Sequence, residues 1–468
     1  MRALNEPKTV MPNTDPPAQL RPSTPVLPRV PHVVVVGAGF GGLSVVRALR
    51  GAPVRITLID RTNHHLFQPL LYQVATAELS TAQVAAPVRQ VLSSQQNVTV
   101  LLGEVVGVDK AKQVVFASNR DREHVPIAYD FLVLATGATH GYFGHDEFAR
   151  FAPGLKTLAD AEELRDRILA TFEQAEAEED VRAHPELLTF ILVGAGPTGV
   201  EMAAAIAYMV RTSLRTQFRK IDPTTARIVL IDRGPRVLGT FAEELSRAAK
   251  ERLERLGVEV RLGQAADQID EDGVIVSGQR IASKTVIWTA GVVPSPAGKW
   301  LAVETDRAGR VKVQSDLTVP GSPEIYVIGD TASLVQDGKP LAGVAQVALQ
   351  QGRHAGRAIA RRALLKDPGG PFRYSDRGTM AVVGPGFAIL ESGKVRLKAL
   401  IAWLAWALIH ILSLAQPGLR LSVFLQWMWT LVTGQRGSRL IVRPRLAPGV
   451  PSAEERTAEP ALAARAAR

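Results

Sequence analysis

One pattern occurs twice in this chain and leaves few folds open to it: a buried strand-like run, a glycine-rich turn, a helix, and a second run ending in aspartate. The first copy has Val33–Val36, the turn Gly37-Ala-Gly39-Phe-Gly41-Gly42, helical spacing over Leu43–Leu49, and Val54–Ile59 ending at Asp60. The second has Thr189–Val193, the turn Gly194-Ala-Gly196-Pro197-Thr198-Gly199, a helix from about Thr198 to Val210, and Arg227–Ile231 ending at Asp232. Repeated strand–helix–strand units imply parallel sheets with right-handed crossovers. In each turn the first glycine permits the tight bend, the second lets backbone N–H groups approach a pyrophosphate, and the third lets helix and strand pack closely. A carboxylate ending the next strand can accept hydrogen bonds from a ribose. The fold expected is α/β, with two Rossmann-like dinucleotide-binding domains. A plain strand–helix turn is the bland alternative, but it needs neither the flanking elements nor the terminal acid.

Two dinucleotide sites on one chain have an economical explanation: one holds FAD permanently and the other takes NADH. Ala135-Thr136-Gly137, at the end of the strand-like run Phe131–Leu134, and the late pair Gly329-Asp330 fit the FAD half. Asp330 there can bind ribityl hydroxyls or cap a helix. Asp232 would repel the 2′-phosphate of NADPH, so NADH is the favoured ligand, although Arg233 and Arg236 keep NADPH open. Asp60 lies 18 residues after Gly42, whereas Asp232 lies 33 after Gly199. The extra length is a basic stretch, Arg211–Arg227.

With the two glycine loops, the Ala-Thr-Gly and the Gly-Asp in place, two further segments carry a resemblance. These are Leu66-Phe-Gln-Pro-Leu-Leu-Tyr72-Gln-Val-Ala-Thr76 and Ala345-Gln346-Val-Ala348-Leu-Gln350-Gln351-Gly352. Over about 32 to 445 the chain resembles the type II NADH:quinone oxidoreductases, single-subunit flavoenzymes that do not pump protons. The resemblance implies a glutathione-reductase-like fold and a helix at 345–352 separating flavin from quinone. Gln346 and Gln350 are four apart, on one helix face, where neutral amides can donate to quinone carbonyls. Ala345 and Ala348 leave room for a planar ring. A polar face packed on a neighbour explains the same pattern without a ligand. Glu201, just past the second glycine loop, is by resemblance near the nicotinamide; a favourable contact with the helix dipole is the alternative. His64 and His65 lack companion ligands for a metal and read as loop residues near the FAD.

The net charge of +10 is unevenly placed. Residues 392–453 carry eight basic side chains and no acid, while residues 32–391 sum to zero. A neutral body with one basic piece does not read as a nucleic-acid binder. Ala399–Ala415 is 17 uncharged residues, short of the roughly 20 that a spanning helix needs. After Pro417 and Gly418 a second apolar stretch covers 421–433, and four of the six tryptophans fall in this region. Trp403, Trp406, Trp427 and Trp429, with Lys398, Arg420 and Arg436, suggest helices lying in a membrane interface, aromatic rings at headgroup depth and cations on anionic lipid. A dimer interface or a core helix is the competing explanation. The resemblance implies both an anchor and a homodimer, peripheral on the cytoplasmic face of the cell (inner) membrane.

The expected organisation is a Pro-rich disordered leader over 1–31 with no apolar signal-peptide core, an FAD-binding part over 32–150, an NAD(P)H-binding domain over 151–284, a second FAD-binding part over 285–368, a membrane-binding region over 369–446, and a loose tail over 447–468. Cysteine is absent, which excludes disulfides, thiolate metal sites, and redox chemistry through a cysteine pair. Disulfide reductases and the thiol-using sulfide:quinone oxidoreductases are thereby set aside. A reductase of a ferredoxin-type partner and a non-catalytic NAD(H)-sensing flavoprotein remain as alternatives.

Overall fold

A computed structural model describes residues 30–442; the expected leader up to residue 29 and the tail beyond 442, with Arg443 and Arg445, lie outside the described residues. The valine run His32–Val36 is buried along its whole length, as a parallel strand covered on both faces requires. It is a central strand of a six-stranded sheet, flanked by Phe131–Leu134 and Arg55–Asp60, with Val98–Leu102 and Ser322–Val327 outside these. All five are parallel; the short edge strand Thr318–Val319 runs antiparallel to Ser322–Val327. The first dinucleotide-binding domain is therefore discontinuous, closed by a strand that arrives almost 190 residues after its neighbour in the sheet.

The second sheet has four parallel strands in the order Val258–Leu262, Arg227–Asp232, Thr189–Val193, Thr285–Trp288. Thr285–Trp288 pairs with Thr189–Val193, so the second domain extends past the division expected at 284/285. The chain crosses between the domains on a short antiparallel pair, Ala138–His140 with Val292–Pro294. Both glycine loops open helices, Phe40–Ala48 and Pro197–Arg211.

The C-terminal region is not wholly helical. Thr379–Val382, Ala388–Ser392 and Val395–Lys398 form an antiparallel sheet before two helices, Ala399–Ser413 and Pro417–Thr433, complete a hairpin. One apolar core joins this hairpin to the helices Leu71–Ala75, Leu158–Ala177 and Pro197–Arg211, with Trp406 and Trp427 buried beside Leu70, Ile206 and Met209 in the same cluster. Among the described residues, no helix is long and apolar enough to cross a membrane.

Candidate active site

At the first glycine loop, Gly37 has φ +102°, and a Cβ on it would lie 2.3 Å from the Ala135 carbonyl oxygen. A Cβ on Gly42 would lie 1.8 Å from the Gly37 carbonyl oxygen. Neither position accepts a side chain, whereas the space above Gly39 is open. Asp60 clasps the loop: Ala38 N–H donates to Oδ2 at 2.6 Å, and the N–H and hydroxyl of Thr62 donate to Oδ1, each at 2.7 Å. Oδ2, with a single donor, keeps a lone pair for another. Next to Asp60 in the chain, Arg61 lines an open surface hollow of about 900 Å³, open solvent included, together with Leu102, Gly103, Ser118 and Asn119 among others. His65 is buried against the loop through an Nδ1 contact with the Ala38 carbonyl at 2.9 Å and an edge-on contact with the Phe40 ring. Burial lowers its pKa.

The fold brings the two other predicted FAD segments together. Thr136 Oγ1 lies 3.1 Å from Thr331 Oγ1, and Thr331 also donates to the Gly137 carbonyl. Gly329 and Asp330 open a short turn, Gly329–Thr331. Asp330 does not cap the long helix that follows, because Val344 holds that position. The Gly329 N–H donates to Gln351 Oε1 at 2.7 Å, which ties the Gly-Asp turn to the helix Ala345–Ala363.

The second loop repeats the first closely. Gly194 has φ +113°, and a Cβ on Gly199 would sit 1.8 Å from the Gly194 carbonyl oxygen. Pro197 opens the helix at a position where its missing N–H costs nothing, and Thr198 follows it. Asp232 accepts from Ala195 N–H at 2.6 Å and from Gly234 N–H at 2.5 Å. The basic stretch that lengthens this unit has a structural use. Ser213 donates to the Gly434 carbonyl and accepts at its own carbonyl from Arg439, so the stretch receives the end of the C-terminal hairpin.

Glu201, in the first turns of the helix Pro197–Arg211, accepts only a long hydrogen bond, 3.4 Å from Val382 N–H. Burial raises its pKa to about 8, with that hydrogen bond opposing. Desolvation thus outweighs that hydrogen bond and favours the protonated form of Glu201 at neutral pH.

The two glutamines of the expected quinone face behave differently. Among the described residues Gln346 makes no hydrogen bond and is half-buried near the start of the helix. Gln350 is committed to the backbone of Ser375, donating from Nε2 to its carbonyl at 2.9 Å and accepting its N–H at 3.0 Å. Gln350 thus fixes a loop with its oxygen and one amide hydrogen, which leaves its second amide hydrogen over. Ala348 is buried beneath Gly41 and Gly329; a Cβ on Gly329 would meet the Ala348 side chain at 3.3 Å. Ala345, at the helix start, is half-buried.

The C-terminal tryptophans also divide. Trp406 and Trp427 are buried and stacked on each other, ring centres 5.1 Å apart, and Trp403 is half-buried. Only Trp429 faces outward, 59% exposed. Arg436 is buried: it donates to the Thr76 carbonyl at 2.5 Å and pairs with Glu78 at 3.5 Å. Arg420 donates to the Leu414 carbonyl, while Lys398 is exposed. Trp406, Trp427 and Arg436 are therefore corrected from membrane-facing groups to core and latch. An apolar ring with one N–H donor gains more from a core with an acceptor than from a surface. The outer face belongs instead to Leu400, Ile401, Leu404, Leu408, Leu421 and Leu425, each more than half exposed.

Between the hairpin and the body lies a cleft of about 470 Å³, opening included, lined by Tyr72, Gln73, Glu78, Glu201, Trp403 and Trp406 among others. Gly384 and Pro385 form part of its wall. A guanidinium reaches this turn, because Arg252 donates to the carbonyls of Val383 and Pro385. Tyr72, Gln73 and Glu78 were not legible as site residues. The first two stand inside a quoted motif, but nothing in their spacing assigns them to a cleft whose other wall lies over 300 residues later. Among the described residues no cluster of side chains could hold a metal ion.

Comparison with known proteins accords with this geometry. The family model described as pyridine nucleotide-disulphide oxidoreductase matches residues 31–352, although this chain has no cysteine. Two proteins of Mycobacterium tuberculosis, both named type II NADH:quinone oxidoreductase, are similar throughout. One is 44% identical over 88% of this chain and 91% of that protein; the other is 42% identical over 92% and 94%. A solved structure of NDH2 from Plasmodium falciparum in complex with NADH superposes with TM-score 0.81 at 19% identity, covering 89% of this chain and all of that one. The chain belongs to the type II NADH:quinone oxidoreductases, within the pyridine nucleotide-disulphide oxidoreductase family.

Proposed function

We propose that this protein passes two electrons from NADH through FAD to a membrane quinone without pumping protons. The observation that carries the reading is the junction of three elements: two glycine-loop cradles, and a cleft with Glu201 on one wall and an outwardly apolar hairpin on the other. FAD fits the first cradle. The open space over Gly39, the free lone pair of Asp60 Oδ2, the hollow at Arg61, and the adjacent Thr136 and Asp330 match a dinucleotide with its adenosine end toward Arg61 and its ribityl end toward Gly329. When bound, FAD supplies the two-electron chemistry that a chain without cysteine leaves to it.

The chain's own residues bind, orient and exclude water. Gly194, Gly196, Pro197, Thr198 and Gly199 present backbone to the NADH pyrophosphate, and Asp232 faces its ribose, favouring NADH over NADPH. Glu201 holds a proton in a dry site and helps to position the nicotinamide without adding charge. Gln346 keeps a free amide for a quinone carbonyl, while Gln350 and Gln351 hold its helix against Ser375 and Gly329. Ala345 and Ala348 keep the approach narrow.

The hairpin associates with the membrane peripherally, on the cytoplasmic face, through its leucine-rich outer side, Trp429 and Lys398, with anionic lipid as the surface. The same apolar side is available to a second copy, so a homodimer is the expected assembly in detergent. The test is anaerobic: NADH should bleach the visible absorbance of the yellow protein, and a short-chain quinone should restore it at a catalytic rate. A protein that bleaches but recolours only with a ferredoxin-type partner, or does not bleach, refutes the assignment.

A further inference from the structure

Tyr72 and Gln73 end up at the centre of the interface between the FAD-side helix Leu71–Ala75 and the C-terminal hairpin, and their hydrogen bonds fix more than their positions. Trp427 Nε1–H donates to Gln73 Oε1 at 2.7 Å, and Gln73 Nε2 lies 2.9 Å from Tyr72 Oη. All three side chains are buried, at 6%, 3% and 5% exposure. An indole nitrogen is a donor only. It therefore fixes the Gln73 amide with oxygen toward Trp427 and NH₂ toward Tyr72. Tyr72 Oη must then accept from Gln73, and its own hydrogen must point elsewhere. Among the described residues Tyr72 Oη makes no other hydrogen bond, and Tyr72, Gln73, Glu201 and Trp427 all line the same cleft.

We propose that Tyr72 is a quinone-binding residue whose hydroxyl donates a hydrogen bond to a quinone carbonyl in this cleft, and that Trp427 is a positioning residue, acting through Gln73, that keeps the hydroxyl turned that way. This rests on the quinone-reductase reading above and adds its donor. A quinone carbonyl oxygen only accepts, so a site built to seat it should offer O–H or N–H groups without partners of their own. Burial holds the Tyr72 phenol in its protonated form, and Glu201 adds to this once it ionises. The arrangement also gives the hairpin a task beyond attachment. Trp427 belongs to Pro417–Thr433, so the donor is oriented only while the hairpin is docked. The dock is reinforced nearby by Arg436 on Thr76 and Glu78, and by Gln83 donating to Ser422 Oγ at 2.9 Å.

The experiment uses full-length flavin-loaded protein, a short-chain benzoquinone, and four variants. The readouts are quinone kcat/KM, the anaerobic rate of bleaching by NADH, and equilibrium binding of a redox-inert quinone analogue. Tyr72→Phe removes the donor, and quinone kcat/KM and analogue affinity should fall about tenfold, the effect of one lost hydrogen bond in a dry site. Trp427→Phe keeps an aromatic ring against Trp406, smaller than the indole, and loses the N–H. The Gln73 amide is then free to flip and take the Tyr72 hydrogen, and both quantities should fall about threefold. Adding Gln73→Leu to Trp427→Phe removes that competing acceptor and should restore them toward the parent values, although it deletes another polar group. Tyr72→Phe with Trp427→Phe should fall no further than Tyr72→Phe alone. A merely structural role predicts the reverse: additive losses, and a double variant at 73 and 427 worse than Trp427→Phe alone. Unchanged quinone parameters in Tyr72→Phe, with its bleaching rate intact, overturn the proposal while leaving the quinone-reductase reading standing. A parent enzyme that bleaches but never recolours with benzoquinone overturns both.

Discussion

The two glycine loops are near copies in their backbone and differ in what is packed over them. In both, an aspartate on the next strand grips the residue after the first glycine at 2.6 Å, and the last glycine of the turn rests on the carbonyl of the first. The helix opened by the first loop is covered by Ala345–Ala363, with Gly352 so close that a Cβ would lie 2.3 Å from the Gly41 carbonyl. The helix opened by the second loop is covered by the C-terminal sheet and hairpin, which meet it at Glu201 and Tyr208. One turn geometry thus serves a site sealed by its own domain and a site that shares a wall with the C-terminal hairpin. A tightly held cofactor suits the first and an exchanging substrate the second.

The largest expected effect tests that asymmetry directly. Gly42→Ala should yield protein purified without flavin colour. Gly199→Ala, with the same 1.8 Å clash, should stay yellow and lose NADH bleaching. Loss of flavin from both, or from neither, breaks the distinction between a resident and an exchanging ligand.

The next effect concerns the wall between the second site and the hairpin. Arg436→Ala leaves Glu78 buried without its partner, and breaking such a pair costs about 3–5 kcal/mol. Replacing both, Arg436→Met with Glu78→Gln, should cost much less in urea unfolding. Trp406→Ala should cost about 3–5 kcal/mol, because the ring is 2% exposed and stacked on Trp427. If either single variant unfolds like the parent, the hairpin is not part of the core.

A smaller effect follows from Glu201. Its folded pKa, about 8, lies above the unfolded value near 4.5, so the unfolded chain loses this proton first. The stability it contributes is complete below about pH 4.5, declines as pH rises, and is gone above about pH 8. Glu201→Gln should flatten that part of the stability–pH curve, as followed by chemical denaturation from pH 5 to 8.5. The smallest effect on stability is expected for Trp429→Ala, within about 0.5 kcal/mol. The same change should weaken binding to anionic vesicles several-fold, which separates the lipid-facing tryptophan from the buried pair.

These contrasts also explain what could be read in advance. The nucleotide cradles were legible because backbone geometry dictates the residues: only glycine survives a φ near +100° against a carbonyl, and the acid must follow the strand. Both strand–turn–helix units, the aspartates, and the return of a late segment before Gly329-Asp330 to the first domain fell where expected. The hairpin was legible as apolar and Trp-rich but not as a packed object. Both helices are apolar nearly all round, so no periodicity marks the inner face, and Trp406, Trp427 and Arg436 could not be sorted from Trp429. Gln350 shows the same limit: four-residue spacing puts it beside Gln346, but only the fold brings Ser375 to its amide. The 284/285 division failed because Thr285–Trp288 is an ordinary parallel strand that either sheet could have taken.

The measurement that bears most directly on the account is stoichiometric electron flow on sealed vesicles of anionic lipid that contain a membrane quinone and an internal pH dye. With full-length protein added outside, the account predicts one quinone reduced per NADH oxidised and no acidification or alkalinisation of the lumen. NADH oxidation without quinone reduction, or a pH change inside the vesicle that accompanies turnover, would contradict it.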